Sequence, residues 1–136
     1  MGLIFDTSVI IGLERASSRI EGLIKGRELE PFGISVVTLF ELLHGVYKAD
    51  SEPSRRQREA FVEKIIELFP IYPFDLNEAR IYARIWAQLI KKGVVVGAHD
   101  LMIASTCLSL GFSVLTANIR DYKKIEGLSV EEFPAG

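Results

Sequence analysis

One cysteine, Cys107, is all the chain has. That excludes an intrachain disulfide and a cysteine-based metal site, and it suits a reducing compartment. No apolar run approaches the roughly 20 residues needed to cross a bilayer, because charges interrupt every candidate stretch. The N-terminus lacks a basic segment followed by a long apolar run, so the expectation is a soluble, unexported, cytoplasmic protein with no membrane partner. Positive charge is not in excess: the formal net charge is -2, so nucleic acid could be held only by a local basic surface. Neither a Gly-rich stretch ending in Gly-Lys-Ser/Thr nor a GxGxxG pattern occurs, which leaves phosphate-loop chemistry without support. Internal repeats and low-complexity tracts are also lacking.

What is present suffices for one ordinary domain spanning 1–136, since 49% of the 136 residues are hydrophobic. The opening Leu3-Ile4-Phe5 reads as a buried strand that stops at Asp6, after which Thr7 or Ser8 can cap a short helix through about Glu14. Ser17 or Ser18 can start another that ends near Gly26. Phe32 to Ser35 is a second strand, and Ser35 is a plausible N-cap for a helix with Leu39, Leu42, Leu43, Val46 and Tyr47 on its apolar face. Residues 49 to 54 are turn formers and predict an exposed loop. A helix carrying Phe61, Val62, Ile65, Ile66 and Phe69 follows, then a brief strand at Ile71 to Phe74 whose proline argues for a sheet edge.

Asp75 and Glu78 open a long helix in capping-box fashion, with Ile81, Tyr82, Ile85, Trp86 and Leu89 forming a core-like stripe before the stop at Lys91, Lys92 and Gly93. After an apolar loop at 94–98, a helix from about His99 to Leu110 is apolar on almost all sides, which predicts burial. Ser113 to Thr116 is a strand, Asn118 to Asp121 opens a short helix, and Leu128 to Phe133 supply a last strand. Strands and helices alternate from end to end, so the fold class is α/β: three layers, helices on both faces of a central parallel sheet.

In open parallel sheets ligands bind where strand ends meet helix starts. Four carboxylates fall there: Asp6, Glu41, Asp100 and Asp121, with Thr7, Ser8, Thr116 and Asn118 as polar neighbours. Any one acid alone reads first as a helix cap or a solvated side chain. Together they read differently. Two carboxylates about 4 Å apart repel by about 4 kcal/mol at an effective dielectric near 20, so a group of them takes up protons or holds a cation. Oxygen-only ligands, without cysteine or histidines at ligand spacing, suit Mg²⁺ or Mn²⁺ better than Zn²⁺. Such a centre permits metal-assisted phosphodiester hydrolysis. His44 and His99 read as structural or exposed, and Ser8 as orienting rather than nucleophilic, since no histidine–acid pair is evident to activate it.

Leu3-Ile4-Phe5-Asp6-Thr7-Ser8, the stretch Ile34 to Gly45 with Thr38 and Glu41, the stretch Gly97 to Ala104 with Asp100, and the stretch Leu115 to Tyr122 with Thr116, Asn118 and Asp121 resemble, in order and spacing, the four motifs of PIN-domain ribonucleases. The VapC-type toxins of toxin-antitoxin pairs are the nearest subgroup. The resemblance implies sheet order 3-2-1-4-5, divalent-metal-dependent endonucleolytic cleavage of RNA, homodimerisation, and inhibition by a small VapB-like antitoxin. Carried over residue by residue, Asp6, Glu41 and Asp100 match the core acids, Asp121 or Asn118 the fourth position, and Ser8 a supporting hydroxyl. His99 has no assignment in that pattern.

Of the basic residues Arg55, Arg56, Arg58, Arg84, Lys91, Lys92, Arg120, Lys123 and Lys124, the foremost candidates for RNA contact are Arg120 and Lys123. Other readings fit less well. A haloacid-dehalogenase-type phosphatase needs a second Asp where Ser8 stands, and a receiver domain needs a phosphoacceptor where Asp75 reads as a cap. A PIN-like module that binds RNA or protein without turnover is the alternative of a different class.

Overall fold

The computed structural model describes residues 1–16 and 20–133. Five parallel strands, β1 (Leu3–Phe5), β2 (Phe32–Ser35), β3 (Ile71–Tyr72), β4 (Ser113–Thr116) and β5 (Val130–Glu132), form one sheet in the order β3-β2-β1-β4-β5. β1 lies at the centre, and its three residues are buried on both faces, as a strand with helices above and below must be. Its alternation sorts the core. Leu3 and Phe5 join Leu115 in a cluster under α1 (Thr7–Ala16), α2 (Val36–Tyr47) and α3 (Glu52–Leu68). Ile4 points the other way and joins Val114 in a cluster under α4 (Leu76–Lys91), α5 (Ala98–Leu110) and α6 (Ile119–Tyr122). Phe5 stacks on Phe32 and meets Phe69 edge to face, with ring centroids 6.0 and 5.6 Å apart.

The local signals that set these elements are mostly those the sequence carries. Ser35 caps α2 by accepting from the Val37 N–H, Glu78 accepts from the Asp75 N–H at the head of α4, and Gly111 closes α5 in the left-handed conformation. Gly33 is obligatory for another reason. A Cβ there would lie 2.5 Å from the Pro70 carbonyl oxygen and from the Tyr72 ring, so only glycine lets β3 approach β2. The proline-flanked β3 is an edge strand, as expected.

Four expectations need correction. The cap of α1 is Asp6 itself, whose Oδ1 accepts from the Ser8 and Val9 N–H groups. The loop predicted over 49–54 is shorter, because Ser51 caps α3 and Pro53 sits within its first turn, where a missing N–H has no consequence. Tyr47 is 80% exposed and Trp86 54% exposed: a helix packed on one side buries only the stripe its neighbours cover, here Leu42 and Val46 on α2 and Ile85 and Leu89 on α4. Only a 3-10 turn, Ile20–Gly22, stands where a helix ending near Gly26 is expected, and its proposed start at Ser17 or Ser18 lies outside the described residues. No helix among the described residues is long and apolar enough to cross a membrane.

Candidate active site

Every acid singled out in the sequence lies at the same edge of the sheet. Asp6 follows β1 directly, Glu41 is in the second turn of α2 just beyond β2, Asp100 is in the first turn of α5, and Asp121 lies on α6 just beyond β4. Asp6 is buried, and four groups hold it. Oδ1 accepts from the Ser8 hydroxyl and from the Ser8 and Val9 N–H groups, while Oδ2 accepts from Thr116 Oγ1 at 2.7 Å. Ser8 Oγ in turn accepts from the Ala117 N–H at 3.0 Å, and Thr116 Oγ1 from the Asn118 N–H at 2.8 Å. The turn after β4 is thereby stitched to the start of α1.

Glu41 is tied to the same place from two sides. Thr7 Oγ1 lies 2.6 Å from Glu41 Oε1 and 3.0 Å from Thr38 Oγ1. A carboxylate only accepts, so the single Thr7 proton goes to Glu41 and Thr38 can donate to Thr7. Glu41 Oε2 lies 3.3 Å from His99 Nδ1, on the residue before Asp100. Asp100 meets the hydroxyl of Tyr122, a fully buried phenol, at 3.4 Å. Asp121 is bound by Asn118 Nδ2 and Lys124 Nζ, each at 3.1 Å.

The electrostatics follow from this arrangement. Burial pushes the Asp6 carboxyl above its ordinary range, against the pull of its hydrogen bonds from Ser8, Thr116 and Val9. Asp100 is raised too, first by burial and then by the negative charges of Asp6, Asp121 and Glu41, the mutual repulsion expected of acids that face one another. Asp121 goes the other way, held below the usual range by the hydrogen bonds from Lys124 and Asn118. The Tyr122 phenol is pushed far up by burial beside Asp6 and Asp100, so it remains a donor.

The PIN domain family matches residues 3–128 of the sequence, with the four acids inside the match. The chain belongs to the PIN-domain family. Ribonuclease VapC1 of Rickettsia felis is 42% identical to it over 133 residues, 96% of this chain and 95% of the relative. The tRNA(fMet)-specific endonuclease VapC of Salmonella typhimurium is 36% identical over 100 residues, 74% of each. Among solved structures, DNA-bound VapBC from Salmonella typhimurium is similar with a TM-score of 0.87 at 28% identity, covering 97% of this chain and 98% of that one. VapBC-5 from Mycobacterium tuberculosis has a TM-score of 0.75 at 30% identity, covering 98% of both chains. These likenesses make the chain a VapC-type PIN-domain protein.

In this PIN domain the donor chemistry fits a hard divalent cation. Asp6, Glu41 and Asp100 present only oxygen, and among the described residues no Lys or Arg forms an ion pair with any of them. No three Asp, Glu, His or Cys side chains of the described residues stand close enough to enclose one ion. Holding a cation therefore calls for side-chain adjustment or for water in part of the shell, as is usual for Mg²⁺. Asp121 differs, since a cation there would compete with Lys124.

The sequence alone did not mark Tyr122 or Thr38 as partners of the acids, and it placed Thr7 among their polar neighbours without assigning it to Glu41. A signal existed for Tyr122: a buried tyrosine needs a partner for its hydroxyl. Of the basic candidates, Arg55 and Arg56 pair with Glu52, Lys92 with Glu126 and Lys124 with Asp121. Arg120 and Lys123 flank Asp121 in sequence, are exposed, and form no ion pair among the described residues.

Proposed function

We propose that this protein is a divalent-metal-dependent endoribonuclease, the toxin of a VapBC-type pair, built as a single PIN domain over residues 1–136. The observation that carries the proposal is the gathering of Asp6, Glu41 and Asp100 at one sheet edge with no Lys or Arg among the described residues ion-paired to them. That arrangement disfavours the folded, metal-free protein and favours binding Mg²⁺ or Mn²⁺. The names of the relatives, ribonuclease and tRNA-specific endonuclease, support RNA as the substrate. The VapBC neighbours support a small VapB-like antitoxin as partner.

Asp6, Glu41 and Asp100 would hold the cation, with Asp121 or Asn118 completing the polar rim. When bound, the ion lowers the pKa of water and offsets charge on the phosphate. The chain's own work is orientation. Ser8 and Thr116 fix both oxygens of Asp6, Thr7 fixes one oxygen of Glu41, and Tyr122 meets Asp100. Such supporting bonds limit the rearrangement that binding and reaction require. Arg120 and Lys123 would take phosphates on either side of the cut bond. Charge reversal at both should flatten the salt dependence of RNA binding, by about 0.7 in log–log slope for each single-strand phosphate that is no longer neutralised.

A homodimer belongs to the same proposal. Leu76, Ala79, Ala83, Trp86 and Ile90 are all exposed on α4 and recur at a/d heptad spacing, a narrow seam in which the alanines admit a second helix closely. The deciding experiment is cleavage of RNA by purified protein with Mg²⁺, with Mn²⁺, and with chelator. RNA that stays intact with either metal, while still being bound, would favour the non-catalytic binding module instead.

A further inference from the structure

Beside the acids lies an aromatic feature that the metal chemistry does not use. Phe40 precedes Glu41 and His99 precedes Asp100, and their rings meet edge to face with centroids 5.0 Å apart and planes 74° apart. Phe40 is 41% exposed, because α2 buries Val37, Thr38, Leu42 and Val46 and turns this position away from the core. The His99 side chain is 51% exposed. An open depression of about 350 Å³ adjoins the His99 member of the pair, lined by Gly97, Ala98, His99 and Asp100. A Cβ at position 97 would meet nothing within 4 Å, so the space beside this lining residue is open.

The histidine ring is not loose. Its Nδ1 lies 3.3 Å from Glu41 Oε2, and a carboxylate accepts only, so Nδ1 carries the proton. Nε2 makes no hydrogen bond among the described residues. In the neutral ring it is an acceptor at an exposed edge. The unit thus offers exposed aromatic surface and one acceptor beside Glu41 and Asp100.

We propose that Phe40 and His99 form a platform for one unpaired nucleobase of the RNA, flanking the cleaved phosphodiester. The proposal rests on the ribonuclease reading and deepens it by naming how the strand is gripped. A chain of net charge -2 with an acid cluster at its centre draws little affinity from electrostatics alone. Stacking on Phe and His, by contrast, is a contact that single-stranded RNA makes regardless of charge. A protein segment is the other class of occupant an exposed aromatic pair could take. The base is favoured because the His99 ring lies against Glu41 at 3.3 Å and lines one depression with Asp100, so a group stacked there lies beside the acids.

The test uses the Asp6→Asn protein in Mg²⁺, so that substrate is bound and not consumed, and reads fluorescence anisotropy with two probes. One is an oligoadenylate of about 8 nucleotides, within the span of a single-strand site, and the other is the same ribose-phosphate chain without bases. Phe40→Ala should weaken binding of the oligoadenylate by about tenfold and leave the abasic chain unaffected. Phe40→Leu keeps the bulk and should lose as much, while Phe40→Trp should restore binding. His99→Ala should reduce the same preference for the intact strand.

Unchanged oligoadenylate binding in both Phe40→Ala and His99→Ala overturns the platform, as does equal weakening of the two probes. If those variants keep RNA binding but lose the antitoxin, the pair is a protein-docking site and the proposal is wrong. Should the parent bind neither probe and the wild type cut no RNA with Mg²⁺, the ribonuclease reading falls along with it. Metal-dependent cleavage by the wild type together with equal binding of both probes sinks the platform alone.

Discussion

Thr116 Oγ1 donates to Asp6 Oδ2 across 2.7 Å, joining the ends of two adjacent strands that lie 110 residues apart in the chain. The register Phe5 to Leu115 between β1 and β4 makes the bond possible by setting the residues that follow each strand side by side. Thr116→Val keeps the shape and removes the proton. Asp6 then loses one of the bonds that oppose its upward shift. We expect metal affinity and cleavage rate to fall by about 10- to 100-fold, the usual range when a supporting partner is removed. Calorimetric titration with Mn²⁺, beside a cleavage assay, checks this.

Neutralising the acids separates loss of metal from loss of fold. Asp6→Asn, Glu41→Gln and Asp100→Asn each preserve volume and remove one negative charge, so ribonuclease activity should drop by orders of magnitude. Without metal their melting temperatures should equal or exceed that of the wild type, because repulsion is relieved. Mg²⁺ at about 100 times its dissociation constant should stabilise the wild type by about 2.7 kcal/mol and the variants much less. An Asp100→Asn protein that melts far below wild type without metal, or that cuts RNA normally, would make Asp100 a helix cap only.

The raised carboxyls fix the sign of a pH effect. Asp6 and Asp100 bind protons more tightly folded than unfolded. Their stabilising contribution is therefore full below the unfolded value of about 4 and is lost as pH rises through their folded pKa values. Asp121, depressed by Lys124 and Asn118, acts oppositely: its contribution is present above the unfolded value and is lost as pH falls through its folded one. The difference in melting temperature, wild type minus Asp6→Asn/Asp100→Asn, should fall with rising pH in chelator. A flat difference would mean that these two carboxyls are not perturbed.

The exposed seam on α4 makes a prediction about mass. At micromolar concentration the wild type should sediment as a dimer and Trp86→Glu as a monomer, since a charge at the centre of an apolar helix seam has no partner there. A monomeric wild type would leave Leu76, Trp86 and Ile90 to another binding partner.

Much of this protein was determined by sequence-local physics. The apolar triplet before Asp6, the Ser35 cap, the Asp75 and Glu78 box and the stop at Gly111 are each decided within about one helical turn, where a side chain meets its own backbone. For that reason the strands, the long helices and the sheet edge bearing the acids could all be read from the sequence. Local composition misled at 49–54, where Ser51, Glu52 and Pro53 serve a helix start as well as a turn.

Only the tertiary structure decided which faces are covered and which polar groups meet. Trp86 and Ile85 are neighbours in a single apolar run, yet α5 covers Ile85 and leaves Trp86 to solvent. Thr7 reaches Glu41, Tyr122 reaches Asp100 and Thr116 reaches Asp6 only because parallel pairing in the order β3-β2-β1-β4-β5 brings separate strand ends to one edge of the sheet. A hydroxyl carries no mark in sequence of the carboxylate it will hold; that partner is set by strand register over distances no local pattern spans.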